Sequence, residues 1–441
     1  MNFDQALEYL LRLGHETLAM KFGLENTQRL LEALDQPQRE YTKVQITGTN
    51  GKGSTAVMLD SICRAAGIKT GLFTSPHLVS ITERITINGE MISEDTFAGV
   101  TTRISHAAHL LVAHGTLTAA PTFFEHLTAI ALETFKEAKV DLAILETGLG
   151  GRLDSTTAAC AEVIAITPIA LDHQEYLGTT LAEIASEKAA VIRPGIDVVF
   201  APQPDIVFEV LRERCLQCNV TPRHATSNIR FIDHDSQGRM RVTFETSESV
   251  YESVRVNLPG RHQIINASVA IGLAEVLRTK GFEISDDAII SGLERCAHPG
   301  RLEWRTSERN FLFDGAHNVA GAQSLREYLD EFVDAPLTII FGGMKDKDLE
   351  EIAALLFPLA TYVNLTEINN PRTATQESLR KLVRHEDYSS RTNIFTNSGD
   401  ALSAALEQTP AGGVICVTGS LYLIGEVQTS LLNEQRPTYT T

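Results

Sequence analysis

Residues 44–55 combine an apolar strand, a glycine-rich turn with one lysine, and the start of a helix. Such turns let backbone N–H groups converge on phosphate oxygens, and the following helix directs the positive end of its dipole at them. Lys52 adds a mobile cation, and the hydroxyl of Ser54 or Thr55 could hold Mg²⁺. The pattern predicts a nucleotide phosphate site made of Thr49, Asn50, Gly51, Lys52, Gly53 and Ser54.

The spacing of this loop departs from the commonest phosphate loop. Ile46 stands where the first glycine would be, and Gly53 separates Lys52 from the hydroxyl. This weakens assignment to a generic NTPase. The structural alternative is an ordinary glycine-rich turn before a helix.

Two other polar side chains follow predicted strands. Glu146 ends an apolar strand just before a glycine loop, and a carboxylate in such a place needs a cation partner. Mg²⁺ favours oxygen ligands, which Ser54, Ser75 and Glu146 can supply. Glu146 could instead cap a helix or pair with Arg152. His173 follows another strand, where the alternative is a loop histidine satisfied by its neighbours.

The form Thr47-Gly48-Thr49-Asn50-Gly51-Lys52-Gly53-Ser54 resembles the phosphate loop of the folylpolyglutamate synthase and dihydrofolate synthase family, a branch of the amino-acid ligases that includes the Mur enzymes. Further blocks resemble that family in its own order. They are 74–78, 83–84, 121–125, 146–154, 171–173, 187–189, 259–263, 299–301, 314–318 and 419–422. The resemblance spans nearly the whole chain.

The resemblance implies ATP-dependent formation of an amide between a carboxylate and the amine of L-glutamate, through an acyl phosphate. It implies either a bifunctional enzyme, which uses dihydropteroate and later reduced folate, or one restricted to chain extension. Segments 122–125 and 152–154 resemble the bifunctional branch, which we therefore favour. A Mur-type ligase is the enzyme alternative, and a nucleotide-dependent switch is the alternative from another class.

The resemblance also assigns ligands to a second Mg²⁺ site. Glu146 and His173 become ligands there, together with Lys188, which carries a carbamate in several relatives. Addition of CO₂ turns a cationic lysine into an anionic oxygen ligand, which removes the conflict with magnesium. From the residues alone, Lys188 would be a solvated helix lysine. A monovalent cation is compatible with the resemblance.

For the remaining site residues the resemblance implies two groups. Asn266, Arg301, Asp314 and His317 would surround ATP, with Arg301 on the phosphates and Asp314 on the ribose. Each of these could instead form an interdomain salt bridge or a helix cap. The residues implied for the pterin pocket are Thr122, Phe124 and Asp154. Phe124 could stack on a flat heterocycle, although aromatic pairs at a helix start are more often core. We expect Lys52, His173, Lys188 and Arg301 to be catalytic.

Elements that could position these residues follow from the apolar pattern. Short apolar strands alternate with long amphipathic helices, which predicts an α/β fold with a parallel sheet whose ligands gather at the strands' carboxyl ends. Residues 229–256 alternate around a turn and predict a small antiparallel sheet. A second, Rossmann-like α/β series begins near residue 298, so we expect domains at 1–297 (phosphate loop and pterin pocket) and 298–441.

Composition limits the function classes. The chain has 441 residues, of which 43% are hydrophobic, and a formal net charge of −18. That charge argues against a general nucleic-acid binder. No apolar run is long enough for a membrane span, the start lacks the layout of a signal peptide, and the six cysteines are scattered. We expect a cytoplasmic protein that acts on small molecules, with a monomer as the default.

Overall fold

The fold is described from a computed structural model, which covers residues 1–14, 23–225, 228–306, 309–383 and 389–434. The strands are β1 Thr42–Thr47, β2 Thr70–Phe73, β3 Ile85–Ile87, β4 Glu90–Met91, β5 Leu142–Glu146, β6 Val163–Ile166, β7 Asp197–Phe200, β8 Arg223–His224, β9 Asn228–His234, β10 Met240–Glu245, β11 Val250–Arg255, β12 Glu303–Thr306, β13 Asn310–Asp314, β14 Leu337–Phe341, β15 Tyr362–Thr366, β16 Thr392–Phe395 and β17 Val414–Thr418.

Helices fill most of the sequence between these strands. They are α1 Phe3–Arg12, α2 Glu25–Ala33, α3 Lys52–Ala65, α4 Glu94–Ala113, α5 Phe123–Ala138, α6 Gln174–Leu177, α7 Leu181–Ala189, α8 Asp205–Gln217, α9 His262–Thr279, α10 Asp286–Arg295, α11 Val319–Phe332, α12 Leu349–Leu356, α13 Gln376–Lys381, α14 Ser398–Gln408 and α15 Leu421–Glu434. Within the described ranges, no helix has both the length and the apolar character needed to cross a bilayer.

The first sheet has eight strands in the order β4-β3-β2-β5-β1-β6-β7-β8. Its pairs are parallel except at the β2–β3 and β3–β4 edge, which is antiparallel. The sequence predicted the parallel strands and missed that short edge. Helices α3 and α9 pack with one apolar cluster on β1, and α4 and α5 pack with another on β5. Both faces of the sheet are therefore covered, as its continuous apolar strands predicted.

The second sheet has six strands in the order β12-β13-β17-β14-β15-β16, all parallel except β12. Strands β9 to β11 form the predicted small antiparallel sheet. The first and third sheets lie in residues 1–297, called the N-terminal part below. The six-stranded sheet lies in residues 298–434, called the C-terminal part.

Strand order explains how distant residues come together. β1 lies between β5 and β6, and Ile46 pairs with Glu146 while Thr47 pairs with Ile166. The phosphate loop after β1 is therefore flanked by the segments that follow β5 and β6. In the second sheet Asp314 ends β13 and pairs with Thr418 of the neighbouring strand. Each sheet thus brings its strand-end loops to one edge.

Candidate active site

The phosphate loop is held by close backbone approaches. Gly48 has φ +148°, and a Cβ there would lie 1.9 Å from Thr167 Oγ1; Gly51 has φ +85°, and a Cβ would lie 2.1 Å from Asn266 Oδ1. Both positions therefore require glycine. The N–H groups of Thr49 and Asn50 donate to the Pro168 carbonyl at 3.0 and 3.1 Å. These two amides thus fix the loop, while the first-turn amides of α3 have no intrahelical acceptor and can bind an anion.

Lys52 is the cation of this loop. Its ammonium donates to the carbonyls of Thr49 at 2.9 Å and Gly48 at 3.2 Å. Burial lowers the pKa of Lys52, and the neighbouring carboxylates of Glu146 and Asp172 oppose that shift. The Lys52 ammonium is therefore held by loop carbonyls, which it can exchange for the oxygens of a phosphate.

Ser54 lies in a polar cluster that the sequence did not predict. Its hydroxyl is 3.3 Å from His298 Nδ1 and accepts from Gln263 Nε2 at 3.4 Å. Gln263 also accepts from Asn266 Nδ2 at 2.8 Å. Burial lowers the pKa of His298 to about 3, with Arg301 acting in the same direction, so the imidazole is neutral at physiological pH. Helix α9 and the residues just past 297 therefore order the predicted Ser54 and Asn266.

Glu146 is 6% exposed and ends β5 beside the phosphate loop. One carboxylate oxygen accepts from the Ser75 N–H at 3.0 Å, and a Cβ on Gly53 would lie 3.3 Å from both oxygens. Burial raises the pKa of Glu146, whereas Lys52 favours the ionised form. The alternative partner Arg152 instead pairs with Glu187, at 2.8 Å. Glu146 is therefore a buried acceptor whose charge is favoured most by Lys52 among its cationic neighbours.

Lys188 is buried in α7, 4% exposed, and its ammonium donates to the Gly48 carbonyl at 2.7 Å. The interpretation as a solvated helix lysine is wrong, because the side chain is buried and its ammonium bonds to the phosphate loop. Burial, reinforced by Lys52, lowers the pKa of Lys188 to about 7. A substantial fraction of this amine is neutral at physiological pH.

Asp172 and His173 join the two parts of the chain. Asp172 accepts from Asn318 Nδ2 at 3.0 Å and is in contact with the ammonium of Lys347, which also lies 3.3 Å from His173 Nε2. Burial opposes ionisation of Asp172, but its electrostatic interactions with His173, Lys347 and His317 outweigh burial and hold the pKa well below its usual range. Burial and Lys347 lower the pKa of His173 to about 3. His173 Nδ1 is buried with no hydrogen-bond partner in the described part of the chain.

The C-terminal part contributes the segment just before β12 and the loop after β13. Both oxygens of Asp314 accept backbone N–H groups, from Leu302 and Ala316, each at 3.0 Å. Burial raises the pKa of Asp314. Arg301 Nη1 lies 3.5 Å from the Gly315 carbonyl, and His317 Nδ1 lies 2.8 Å from the same carbonyl. Asp314 thus orders the turn that holds Arg301 and His317 at the cavity.

Asn318 caps α11 and also reaches the phosphate loop. Its Oδ1 accepts from Gly321 N at 2.8 Å, and its Nδ2 donates to Asn50 Oδ1 at 3.0 Å. Asn318 and Lys347 are functional candidates that sequence reasoning missed. Both follow strands of the second sheet, so the strand-end rule applied to the first sheet would have found them.

The predicted pterin residues have mixed roles. Thr122 caps α5, since its hydroxyl accepts from Glu125 N at 3.3 Å. Asp154 accepts from Leu149 N and Thr156 N at 2.9 Å, so it orders its own loop. Phe124 packs against Gly148, where a Cβ would lie 2.5 Å from the ring. Phe124 therefore offers a flat apolar wall, while Thr122 and Asp154 fix the backbone around it.

One cavity of about 650 Å³ collects every predicted site residue. They are Thr49, Asn50, Gly51, Lys52, Gly53, Ser54, Ser75, Thr122, Phe124, Glu146, Asp154, His173, Lys188, Asn266, Arg301, Asp314 and His317. Within the described ranges, no three His, Cys, Asp or Glu side chains gather closely enough to bind a metal by themselves. A metal here would need serine, phosphate or modified-lysine oxygens as well.

Comparisons with known proteins agree with this geometry. Residues 46–274 match the family description "Mur ligase middle domain", and residues 300–421 match "Mur ligase, glutamate ligase domain". The chain is 32% identical to the dihydrofolate synthase/folylpolyglutamate synthase of Bacillus subtilis, over 95% of this chain and 97% of the relative.

Solved structures extend the similarity to the fold. The Mycobacterium tuberculosis folylpolyglutamate synthase complexed with ADP and AMPPCP is similar with a TM-score of 0.88 and 32% identity, covering 99% of this chain and 100% of that one. A bifunctional folylpolyglutamate synthase/dihydrofolate synthase with Mn, AMPPNP and L-glutamate bound has a TM-score of 0.84 and 28% identity, covering 98% of each chain. The chain belongs to the dihydrofolate synthase/folylpolyglutamate synthase family of Mur ligases.

Proposed function

We propose that the chain is an ADP-forming ligase that joins L-glutamate to dihydropteroate and to the γ-carboxylate of reduced folates. The observation that carries this proposal is the convergence of the phosphate loop, Glu146, His173, Lys188 and the Arg301–His317 segment on one cavity. The proposal is also supported by the bifunctional relative from Bacillus subtilis, which aligns with this chain over 97% of its length.

The reaction has two steps. A carboxylate oxygen of the pterin substrate attacks the γ-phosphorus of ATP, the bond to the β-phosphate oxygen breaks, and ADP leaves. The amine of glutamate then attacks the acyl carbon, the carbon–oxygen bond to phosphate breaks, and the amine loses a proton. Neither step requires a covalent bond to the protein.

Lys52, Ser54 and Arg301 are the groups we assign to the phosphates. Lys52 exchanges its loop carbonyls for phosphate oxygens, and the planar donors of Arg301 bind the charge on the transferring group from the other side. Asn266, His317 and Asp314 would surround the rest of ATP, with Asp314 on the ribose. Because these residues come from both parts of the chain, docking of the parts completes the site and excludes water.

The residues fit divalent metal ions. In the described part of the chain Glu146 accepts one backbone donor, at 3.0 Å, and a neutral His173 has one ring nitrogen with the electron pair that a metal ligand needs. We assign Ser54, Ser75 and Glu146 to one Mg²⁺, and Glu146, His173 and a carbamylated Lys188 to a second. Bound Mg²⁺ would supply charge stabilisation to the phosphoryl and acyl groups. A monovalent cation near the carbamate is compatible with this arrangement.

The finer assignments are proposals too. Phe124, with Thr122 and Asp154, borders the pterin end of the cavity. The three sheets support a division into domains 1–297 and 298–441. We propose a cytoplasmic monomer without nucleic-acid or membrane partners, which the net charge of −18 supports for nucleic acid.

The test measures ADP release by the purified protein with Mg·ATP and L-glutamate, with dihydropteroate and tetrahydrofolate in separate reactions and products identified by mass. We expect glutamate-dependent turnover of both. Turnover of tetrahydrofolate alone would restrict the enzyme to chain extension. Turnover of a nucleotide-sugar substrate instead would indicate a Mur-type ligase, and ATP hydrolysis independent of glutamate would indicate a nucleotide switch.

A further inference from the structure

The loop of residues 75–80 lies between the two parts of the chain. Its first residue, Ser75, donates its backbone N–H to Glu146 at 3.0 Å. Two residues further on, the His77 ring accepts a 2.8 Å hydrogen bond from Arg84 Nε. Arg84 is itself 1% exposed and lies over the ring of Phe123. The beginning of the loop is therefore attached to the N-terminal part.

Glu83 holds the second half of this loop. Its carboxylate accepts the backbone N–H groups of Leu78, Val79 and Ser80 at 2.8, 2.9 and 2.7 Å. Three hydrogen bonds donated to one carboxylate fix the peptide planes of these residues. As a result, the Leu78 carbonyl and side chain are presented outward, toward the C-terminal part.

Helix α15 of the C-terminal part meets the loop at Leu78. A Cβ placed on Gly425 would lie 1.9 Å from the Leu78 carbonyl oxygen and 2.7 Å from its carbon. The Leu78 side chain contacts Gly300, where a Cβ would be 3.2 Å away, and packs into an apolar cluster that includes Leu421. Leu78 is thus a residue of the N-terminal part that packs into a core of the C-terminal part.

The contact accounts for a glycine that helix formation would disfavour. Gly425 is buried in the interior of α15, where alanine is the better helix former. It is not among the glycines with positive φ, so its backbone conformation does not require glycine. What excludes a side chain is the backbone of Leu78, which cannot move aside as a flexible side chain could.

We propose that Gly425 is a positioning residue for the ligase reaction. By letting α15 lie directly on the Leu78 carbonyl, it couples docking of the C-terminal part to the placement of Ser75 against Glu146. Arg301 comes directly after Gly300, which the Leu78 side chain contacts. The same docking therefore brings Arg301 to the opposite side of the cavity. This inference rests on the proposed function, because its test measures the ligase reaction. The structural argument for it is the contact between Leu78 and Gly425.

The test compares Gly425→Ala with the wild-type protein and with Gly99→Ala. Gly99 lies in helix α4 with nothing within 4 Å of a Cβ, so it is a matched glycine-to-alanine control. We expect Gly425→Ala to lower kcat at least tenfold and to raise the hydrogen-exchange rate of the 74–84 peptide at least fivefold. KM for ATP should change less than kcat, because the phosphate loop is intact. Gly99→Ala should change none of these.

A purely structural glycine would lower thermal stability without selective exchange in the 74–84 peptide. The proposal is overturned if kcat of Gly425→Ala stays within twofold of wild type, or if kcat falls while exchange in that peptide is unchanged. If Gly425→Ala does not fold, Leu78→Ala decides by the same two readouts, because it removes the docked side chain and keeps the backbone. An inactive wild-type protein would refute the proposed function instead.

Discussion

The ammonium of Lys188 donates a 2.7 Å hydrogen bond to the carbonyl of Gly48, so the buried lysine of α7 directly contacts the first glycine of the phosphate loop. Lys188 lies in the next-but-one helix after His173, and β6 places both next to the loop after β1. A modification of this lysine would therefore change the charge immediately behind the ATP phosphates. That relationship makes the state of Lys188 the first question to test.

Activity should depend on CO₂ through Lys188. With its pKa lowered to about 7, much of this amine is neutral at pH 7, which is the form that adds CO₂. Protein freed of CO₂ should lose glutamate ligation and regain it when bicarbonate is added. Lys188→Arg keeps the cation but cannot form the carbamate, so it should be inactive and show no response. A carbamate carbon signal from ¹³C-bicarbonate should be present in wild type and absent in the variant; full activity without CO₂ would contradict the assignment.

Replacing Lys52 should abolish acyl-phosphate formation while leaving the fold intact. Its ammonium bonds only to the loop carbonyls of Gly48 and Thr49 in the described structure, so Lys52→Ala removes no contact that joins elements. The loss of a cation aimed at the transferring phosphoryl group should lower kcat by about 10²–10³-fold. ADP release and the circular dichroism spectrum check the two expectations. Lys69→Ala, at an exposed lysine, is the control; near-normal turnover of Lys52→Ala would refute the role.

Much of the site can be predicted from the sequence, because the apolar runs show where the strands end. The apolar runs ending at Thr47 and Glu146, together with parallel pairing, place the phosphate loop beside a carboxylate. The family resemblance then supplied Arg301 and Asp314, which lie in the C-terminal part. The short edge pair β3–β4 was missed, because strands of three and two residues are too short to give a clear periodic signal.

Contacts between the two parts of the chain could not be read in this way. Lys347 meets Asp172 across 175 residues of sequence, and its partner depends on how the two sheets dock. Thr122 and Asp154 show another limit of prediction from sequence. Their residue types suit contact with a ligand, but in the structure their side-chain oxygens accept hydrogen bonds from nearby backbone amides. Only three-dimensional geometry distinguishes these two uses of the same side chain.

The Asp172–Lys347 pair should be strongly coupled in stability. Both side chains are nearly buried, at 8% and 7% exposure, and removing one partner leaves an uncompensated buried charge. Asp172→Asn and Lys347→Met should therefore each lower the free energy of unfolding by about 3–5 kcal/mol, whereas the double variant should lose clearly less than the sum. Urea denaturation followed by Trp304 fluorescence gives the values, with the exposed Lys345→Met as control. Additive losses would mean that the pair does not hold the two parts together.

His126 should make the N-terminal part sensitive to acid. The imidazole is fully buried between the Tyr9 hydroxyl, 3.1 Å from Nε2, and the Thr122 carbonyl, 3.1 Å from Nδ1. Burial lowers the pKa of His126 from 6.5 to about 4, against the effect of its backbone hydrogen bonds. Between those two pH values the unfolded chain binds a proton that the native protein does not. The free energy of unfolding therefore falls as pH drops from 6.5 to 4, by about 3 kcal/mol from this group.

The measurement compares His126→Gln with wild type by urea denaturation at pH 7 and pH 4.5. Glutamine can still accept from Tyr9 but does not titrate, so the variant should lose less stability than wild type on acidification, even if it is less stable at pH 7. His106→Gln, at an exposed position on α4, should follow the wild-type pH dependence. Equal acid losses in wild type and His126→Gln would show that the pKa of this histidine does not differ between the native and unfolded chain, which would contradict the prediction.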